Sequence, residues 1–135
     1  NPAGMNAVLR ALTSDTGIQK PLYLLMALND GIQDGRDVSW IYDADFELLS
    51  GWVKSLVVTG DRADDLALRL HLAGVRVDLV QSHRASALDE ALRRLPIGSR
   101  LDLVPTYTGM LELRELIAGG VGAAPYWHSG AGEEV

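Results

Sequence analysis

The chain has 135 residues, a hydrophobic fraction of 47%, and 12 Lys plus Arg against 18 Asp plus Glu, for a formal charge of −6. That length fits one domain with a core of its own. The apolar content excludes disorder over most of it, and the negative field excludes nucleic-acid backbones as its main partner. No apolar run approaches the roughly 18 residues of a membrane span, and no signal-peptide pattern opens the chain. There is no cysteine, hence no disulfide, thiol nucleophile or thiolate zinc site. The cytoplasm is the expected compartment. The start at Asn1-Pro2, without an initiator Met, reads as a piece of something longer.

Asn1 before Pro2 is an N-cap followed by Pro at the first helical position. Met5, Val8, Leu9 and Leu12 then fall at i, i+3, i+4 and i+7, which predicts a helix ending near Thr13. Ser14 to Pro21 is a polar link. Leu22 to Leu28 is uninterrupted apolar sequence, the pattern of a strand buried on both faces. Val38 to Tyr42 is a second candidate strand and Leu56 to Thr59 a third. The third runs through Gly60-Asp61-Arg62 into a helix from Ala63 to Leu72, with Leu66, Leu70 and Ala73 on its inner face and Gly74 as its stop. Val75 to Val80 is a fourth strand. Ser86 to Leu95 is a helix with Ser86 as N-cap and Asp89 completing an acidic capping box. Leu101 to Val104 is a fifth strand, feeding a last helix from Met110 to Ala118 that Thr106 or Thr108 would cap. From Gly119 onward the chain is Gly- and Ala-rich and reads as a mobile tail. This alternation predicts a Rossmann-like α/β domain over 1–118, its mostly parallel sheet covered by helices on both faces, and a flexible segment over 119–135.

In such sheets ligands sit beyond the carboxyl ends of the strands. That edge would carry Asn29-Asp30, Asp43, Gly60-Asp61-Arg62 and Thr106-Tyr107-Thr108. Asp61 can cap the free N–H groups of the helix it precedes, or those groups can receive a phosphate. No phosphate-loop motif is present, because neither lysine, Lys20 or Lys54, follows a glycine-rich loop. His71, His83 and His128 are too scattered for a metal site or a complete hydrolase triad.

The segment Asn29 to Glu47 is the unusual one. Asp30, Asp34, Asp37, Asp43, Asp45 and Glu47 put six carboxylates in nineteen residues, with Arg36 as the one counter-charge among them. Asp34-Gly35 suits a turn, and Asp37 can pair with Arg36 or cap its loop. Asp43 follows Trp40-Ile41-Tyr42 at the end of a predicted buried strand, so it is either a solvated strand end or a carboxylate held outward to orient a partner. A lone carboxylate performs no acyl transfer. It can hold a His in the right tautomer for a nucleophile beside it, and that His and nucleophile would then belong to another chain.

Four blocks together resemble the MurT C-terminal domain family. They are Asn1-Pro-Ala-Gly-Met-Asn6 with Val8-Leu-Arg10, Asp34-Gly-Arg-Asp-Val-Ser-Trp-Ile-Tyr-Asp43, Thr59-Gly-Asp-Arg62, and Pro105-Thr-Tyr-Thr108 followed by Leu111-Glu-Leu-Arg114. They stand in the right order and cover the chain to about Ala118. The resemblance implies a part of lipid II isoglutaminyl synthase, which amidates the α-carboxylate of D-glutamate in the peptidoglycan stem with ATP and ammonia from glutamine. A GatD-type glutaminase would bring the Cys and His, and this domain the Asp that completes the triad. By the family pattern that Asp lies in the Ser-Trp-Ile-x-Asp block, at Asp43, with Asp45 as second choice. Asp37, Asp61, Arg62, Thr106, Tyr107 and Thr108 are the further ligand or interface candidates. Where Mur ligases at large carry an Asp-x-x-His-Asn-Pro-like loop, this chain has Asn29-Asp30-Gly31-Ile32. No cofactor is expected in this domain; ATP and Mg are expected for the full-length enzyme, which carries further domains in cis and takes lipid II as substrate. The isolated piece should be inactive. The alternatives are a non-catalytic interaction domain and a small-molecule-binding α/β domain.

Overall fold

The uninterrupted apolar run of the first strand has a direct structural cause. In the computed structural model, which describes residues 1–14 and 21–119, that strand is β1 (Leu22–Ala27) and lies inside a four-stranded, all-parallel sheet. The sheet order is β3-β2-β1-β4, with β2 at Val53–Thr59, β3 at Leu79–Val80 and β4 at Leu101–Val104. Alternate side chains of the two central strands enter different cores. Leu24, Met26, Leu56 and Val58 face one core, while Leu25 and Val57 face the other. With both faces covered, the middle of each central strand, Leu24 to Met26 and Leu56 to Val58, is apolar at every position.

The first core is closed by α1 (Pro2–Leu12) through Leu9 and Leu12, and by α2 (Ala63–Leu72) through Ala63, Leu66 and Leu70. The second is closed by α3 (Arg84–Arg93) through Ala87, Leu88 and Ala91, with Leu116 and Ile117 of α4 (Tyr107–Ala118) packed against it. Asn1 caps α1 as expected, its side chain accepting the Gly4 N–H at 2.7 Å. The bounds of α2 are also those read from sequence.

The expected strand at Val38 to Tyr42 does not form. Ser39–Tyr42 is a 3-10 turn, and a second one follows at Phe46–Leu49. The buried positions are Val38, Ile41 and Ala44, then Phe46 and Leu49. A spacing of three suits 3.0 residues per turn, whereas a strand would have buried Val38, Trp40 and Tyr42 together. The crossover from β1 to β2 therefore lays two short turns on the first core.

The expected strand at Val75 to Val80 shrinks to Leu79–Val80 because the Asp78 side chain takes over part of the pairing. Its Oδ2 accepts the Leu56 N–H at 2.8 Å while its own N–H donates to the Leu56 carbonyl at 2.9 Å. The third helix begins at Arg84 rather than Ser86, since His83 is the N-cap and its ring accepts the Ser86 N–H. The last helix starts at Tyr107 rather than Met110. Most of the polar link, His128, and the tail beyond Gly119 lie outside the described residues. Among the described residues no helix is long and apolar enough to cross a membrane.

Candidate functional site

The strand order reverses between β1 and β4, so the crevice beyond their carboxyl ends is where this architecture holds ligands. Two residues span it. The Asn29 N–H donates to Thr106 Oγ1 at 3.2 Å, and the Thr106 N–H donates to the Ala27 carbonyl at 3.2 Å. Thr106 occupies the N-cap position of α4, but its hydroxyl makes no capping bond. The expected capping role thus fails for Thr106, because Asn29 claims that oxygen. Tyr107 and Thr108 begin α4 beside it.

Asn29 is buried, with 2% of its surface exposed, and organises the edge. Its Oδ1 accepts the Asp61 N–H at 2.9 Å and an Arg84 Nη2 hydrogen at 2.8 Å. Arg84 also pairs with Asp61 at 2.9 Å. Arg62 pairs with Asp65 at 2.7 Å and with Asp30 at 3.4 Å, and these two carboxylates raise its pKa further. Arg62, not Asp61, stands at the N-cap of α2, and its side chain makes no capping bond. The capping expected of Asp61 is replaced by its ion pair with Arg84. Asp30, Asp61, Arg62 and Thr106 are therefore gathered at one edge.

The second arrangement is the loop that carries Asp43. The Asp37 Oδ1 accepts the Ser39 N–H at 2.9 Å and starts the first 3-10 turn; hydrogen bonds from Ser39, backbone first, hold its carboxyl below the usual range. Asp37, Ser39, Tyr42, Arg62 and Asp65 line a cleft of about 250 Å³ between this loop and the start of α2. Asp43 ends the turn, its N–H donating to the Trp40 carbonyl at 2.9 Å. It stands at the end of a closed turn, not of a strand.

Three of the six carboxylates find counter-charges that arrive from elsewhere in the chain. Asp30 pairs with Arg62, Asp45 with Arg10 at 3.7 Å, and Glu47 with Arg69 at 2.9 Å. Asp37 caps its turn, and Asp34 also has a partner. The Asp45 N–H is held by Asn6 Oδ1 at 2.7 Å, which ties that residue to α1. Asp43 is exposed, and its carboxylate takes no hydrogen bond or ion pair among the described residues. No bond among them joins it to the Asn29–Arg84 edge.

Sequence reasoning missed two residues, Arg84 and Arg69. Leu66, Arg69, Leu70 and Ala73 stand at i, i+3, i+4 and i+7, so Arg69 occupies a position of the apolar stripe of α2, and it is buried with 5% exposed. A cation inside an apolar stripe, beside a segment rich in carboxylates, was the available signal. Among the described residues, no group of three His, Asp or Glu side chains could hold a metal ion.

Sheet, helix placement and clamped crossover define a Rossmann-like α/β domain of the kind that ends Mur ligases. The chain belongs to the MurT ligase C-terminal family, which matches residues 1–110. Subunit MurT of lipid II isoglutaminyl synthase (glutamine-hydrolyzing) from Staphylococcus aureus (strains COL and N315) is 38% identical over 119 residues. The same-named subunit from Streptococcus pneumoniae (strain ATCC BAA-255 / R6) is 34% identical over 101 residues. These matches cover 85% and 73% of this chain, and 25% and 22% of the relatives. The chain thus spans about a quarter of the length of the curated relatives it matches.

Proposed function

We propose that this domain belongs to a MurT-type subunit of a glutamine-hydrolysing lipid II isoglutaminyl synthase, docks a GatD-type glutaminase, and sets Asp43 against the partner's catalytic His. The observation that carries this reading is Asp43 itself: an exposed carboxylate that takes no bond among the described residues, at the end of a closed turn. In a Cys–His centre, such a carboxylate accepts the imidazole N–H, fixes its tautomer, and stabilises the imidazolium formed when the thiol gives up its proton. Ammonia released from glutamine then reaches the D-glutamate α-carboxylate of lipid II. ATP and Mg act in the parts of the full-length subunit outside this chain. Asp45 is the second choice, because its backbone and carboxylate are already tied to α1.

The test is Asp43→Asn in the full-length subunit paired with its glutaminase. Glutamine hydrolysis should fall by a factor on the order of 10³–10⁴, the loss that follows when a triad His takes the wrong tautomer. Association of the subunits and amidation driven by added ammonia should persist. Unchanged glutamine turnover would overturn the assignment.

A second reading, docking without catalysis, is favoured by the exposed apolar groups of the same segment, Ile32, Tyr42 and Leu48. It predicts the opposite pattern, in which Asp43→Asn weakens association while turnover at saturating partner stays normal.

A further inference from the structure

We infer that Arg69 is a positioning residue for Asp43, setting the place of that carboxylate from inside the first core; the inference rests on the reading of Asp43 given above. The stripe position that Arg69 occupies would ordinarily take a Leu, which fills the same space without a charge to desolvate. Among the described residues, every hydrogen bond of its guanidinium goes instead to residues 41–47. Nε donates to the Ile41 carbonyl at 2.9 Å and Nη2 to the Ala44 carbonyl at 2.8 Å, so the two acceptors bracket Asp43 along the backbone. Nη1 and Nη2 donate to the two oxygens of Glu47 at 3.0 and 2.9 Å. The guanidinium carbon lies 5.7 Å from the Tyr42 ring centroid and 5.5 Å from that of Phe46.

A planar fork with fixed donor directions holds these four acceptor oxygens at once, as a Lys ammonium on a flexible stem does not. Because Leu66 and Leu70 anchor α2 in the core, Arg69 refers the Asp43 turn to the sheet instead of leaving it to its own short hydrogen bonds. Asp43 needs such a reference. A carboxylate that completes a triad across a subunit boundary must meet an imidazole N–H whose position another chain dictates, and misplacement by about 1 Å can cost on the order of 100-fold.

The experiment uses the full-length subunit with its glutaminase and compares amidation driven by glutamine with amidation driven by ammonium chloride. Two variants are needed, because Arg69→Lys leaves buried carbonyls to be satisfied, whereas the Glu47 side chain is 60% exposed and Glu47→Gln perturbs folding least. Glutamine-driven kcat should fall about tenfold in Glu47→Gln and on the order of 100-fold in Arg69→Lys, with KM for glutamine within about twofold. Ammonia-driven rates should hold, and adding Glu47→Gln to Asp43→Asn should cause no further loss. Parallel loss of both rates would reduce Arg69 to a structural residue and overturn the inference. Full glutamine-driven rates in Glu47→Gln and Arg69→Lys, alongside a crippled Asp43→Asn, would also overturn it while sparing the triad. An unaffected Asp43→Asn would instead remove the triad reading on which both rest.

Discussion

Arg84 and Asn29 lie 55 positions apart in the chain, yet the Arg84 Nη2 donates to Asn29 Oδ1 at 2.8 Å. The same oxygen accepts the Asp61 N–H at 2.9 Å, and the Asn29 N–H donates to Thr106 at 3.2 Å. One buried residue, through its side-chain oxygen and its backbone N–H, therefore links the ends of β1 and β2, the start of α3 and the start of α4.

Asn29→Ala deletes that acceptor and leaves the Asp61 N–H without it. Asp61 is exposed and the bond is part-buried, so the loss is that of an ordinary hydrogen bond, about 1 kcal/mol. The expected outcome is a loss of that size in urea unfolding, with faster hydrogen exchange at the Asp61 amide. Unaltered exchange there would show that the amide does not depend on Asn29.

Acid should loosen the Arg69 clamp. The hydrogen bond from Arg69, followed by a backbone hydrogen bond, lowers the pKa of Glu47 below its ordinary value of 4.5. A carboxylate with a depressed folded-state pKa contributes its stability in full above the unfolded value and loses it as pH falls through the folded one. Glu47→Gln should therefore melt below the parent near neutral pH, and the gap should close as pH drops below the carboxylate range. Because the carboxylate is mostly exposed, the gap should be small and should shrink with salt. A gap independent of pH would count against the clamp being ionic.

Gly60 turns the chain from β2 toward α2 at φ +108, where a Cβ would run into the Leu28 carbonyl oxygen and come within 2.8 Å of Asn29 Oδ1. Gly60→Ala combines this collision with a left-handed backbone and should cost about 3 kcal/mol. Gly35 has φ +88 but nothing within 4 Å, so Gly35→Ala should cost only about 1 kcal/mol. Denaturant midpoints for the two variants test the comparison; equal losses would mean that the close approach at Gly60 relaxes freely.

The parts of this fold that could be read from sequence are those whose periodicity matches their burial. Leu22 to Leu28 reads as a doubly covered strand because both faces are in fact covered, and α2 reads correctly because Leu66, Leu70 and Ala73 keep helical spacing. Val38 to Tyr42 misled because a short apolar run does not declare its own period; the deciding fact, Ala44 buried one step further on, lay outside the run. Asp78 misled because a side chain stands in for strand pairing. Asp43 was expected at the end of a buried strand and is exposed instead at the end of a 3-10 turn. The reason for its fixed place was not legible, since Arg69 meets Ile41, Ala44 and Glu47 across 22 to 28 positions of chain, and no local pattern announces such a contact.

A carboxylate that takes no bond among the described residues adds little to folding. Replacement of Asp43 by almost any small polar residue should leave expression, melting temperature and subunit purification as they were, so a screen for damaged proteins would pass every such variant as healthy. Arg69 has no such disguise: a lesion there would register in a stability assay and in a glutamine assay alike.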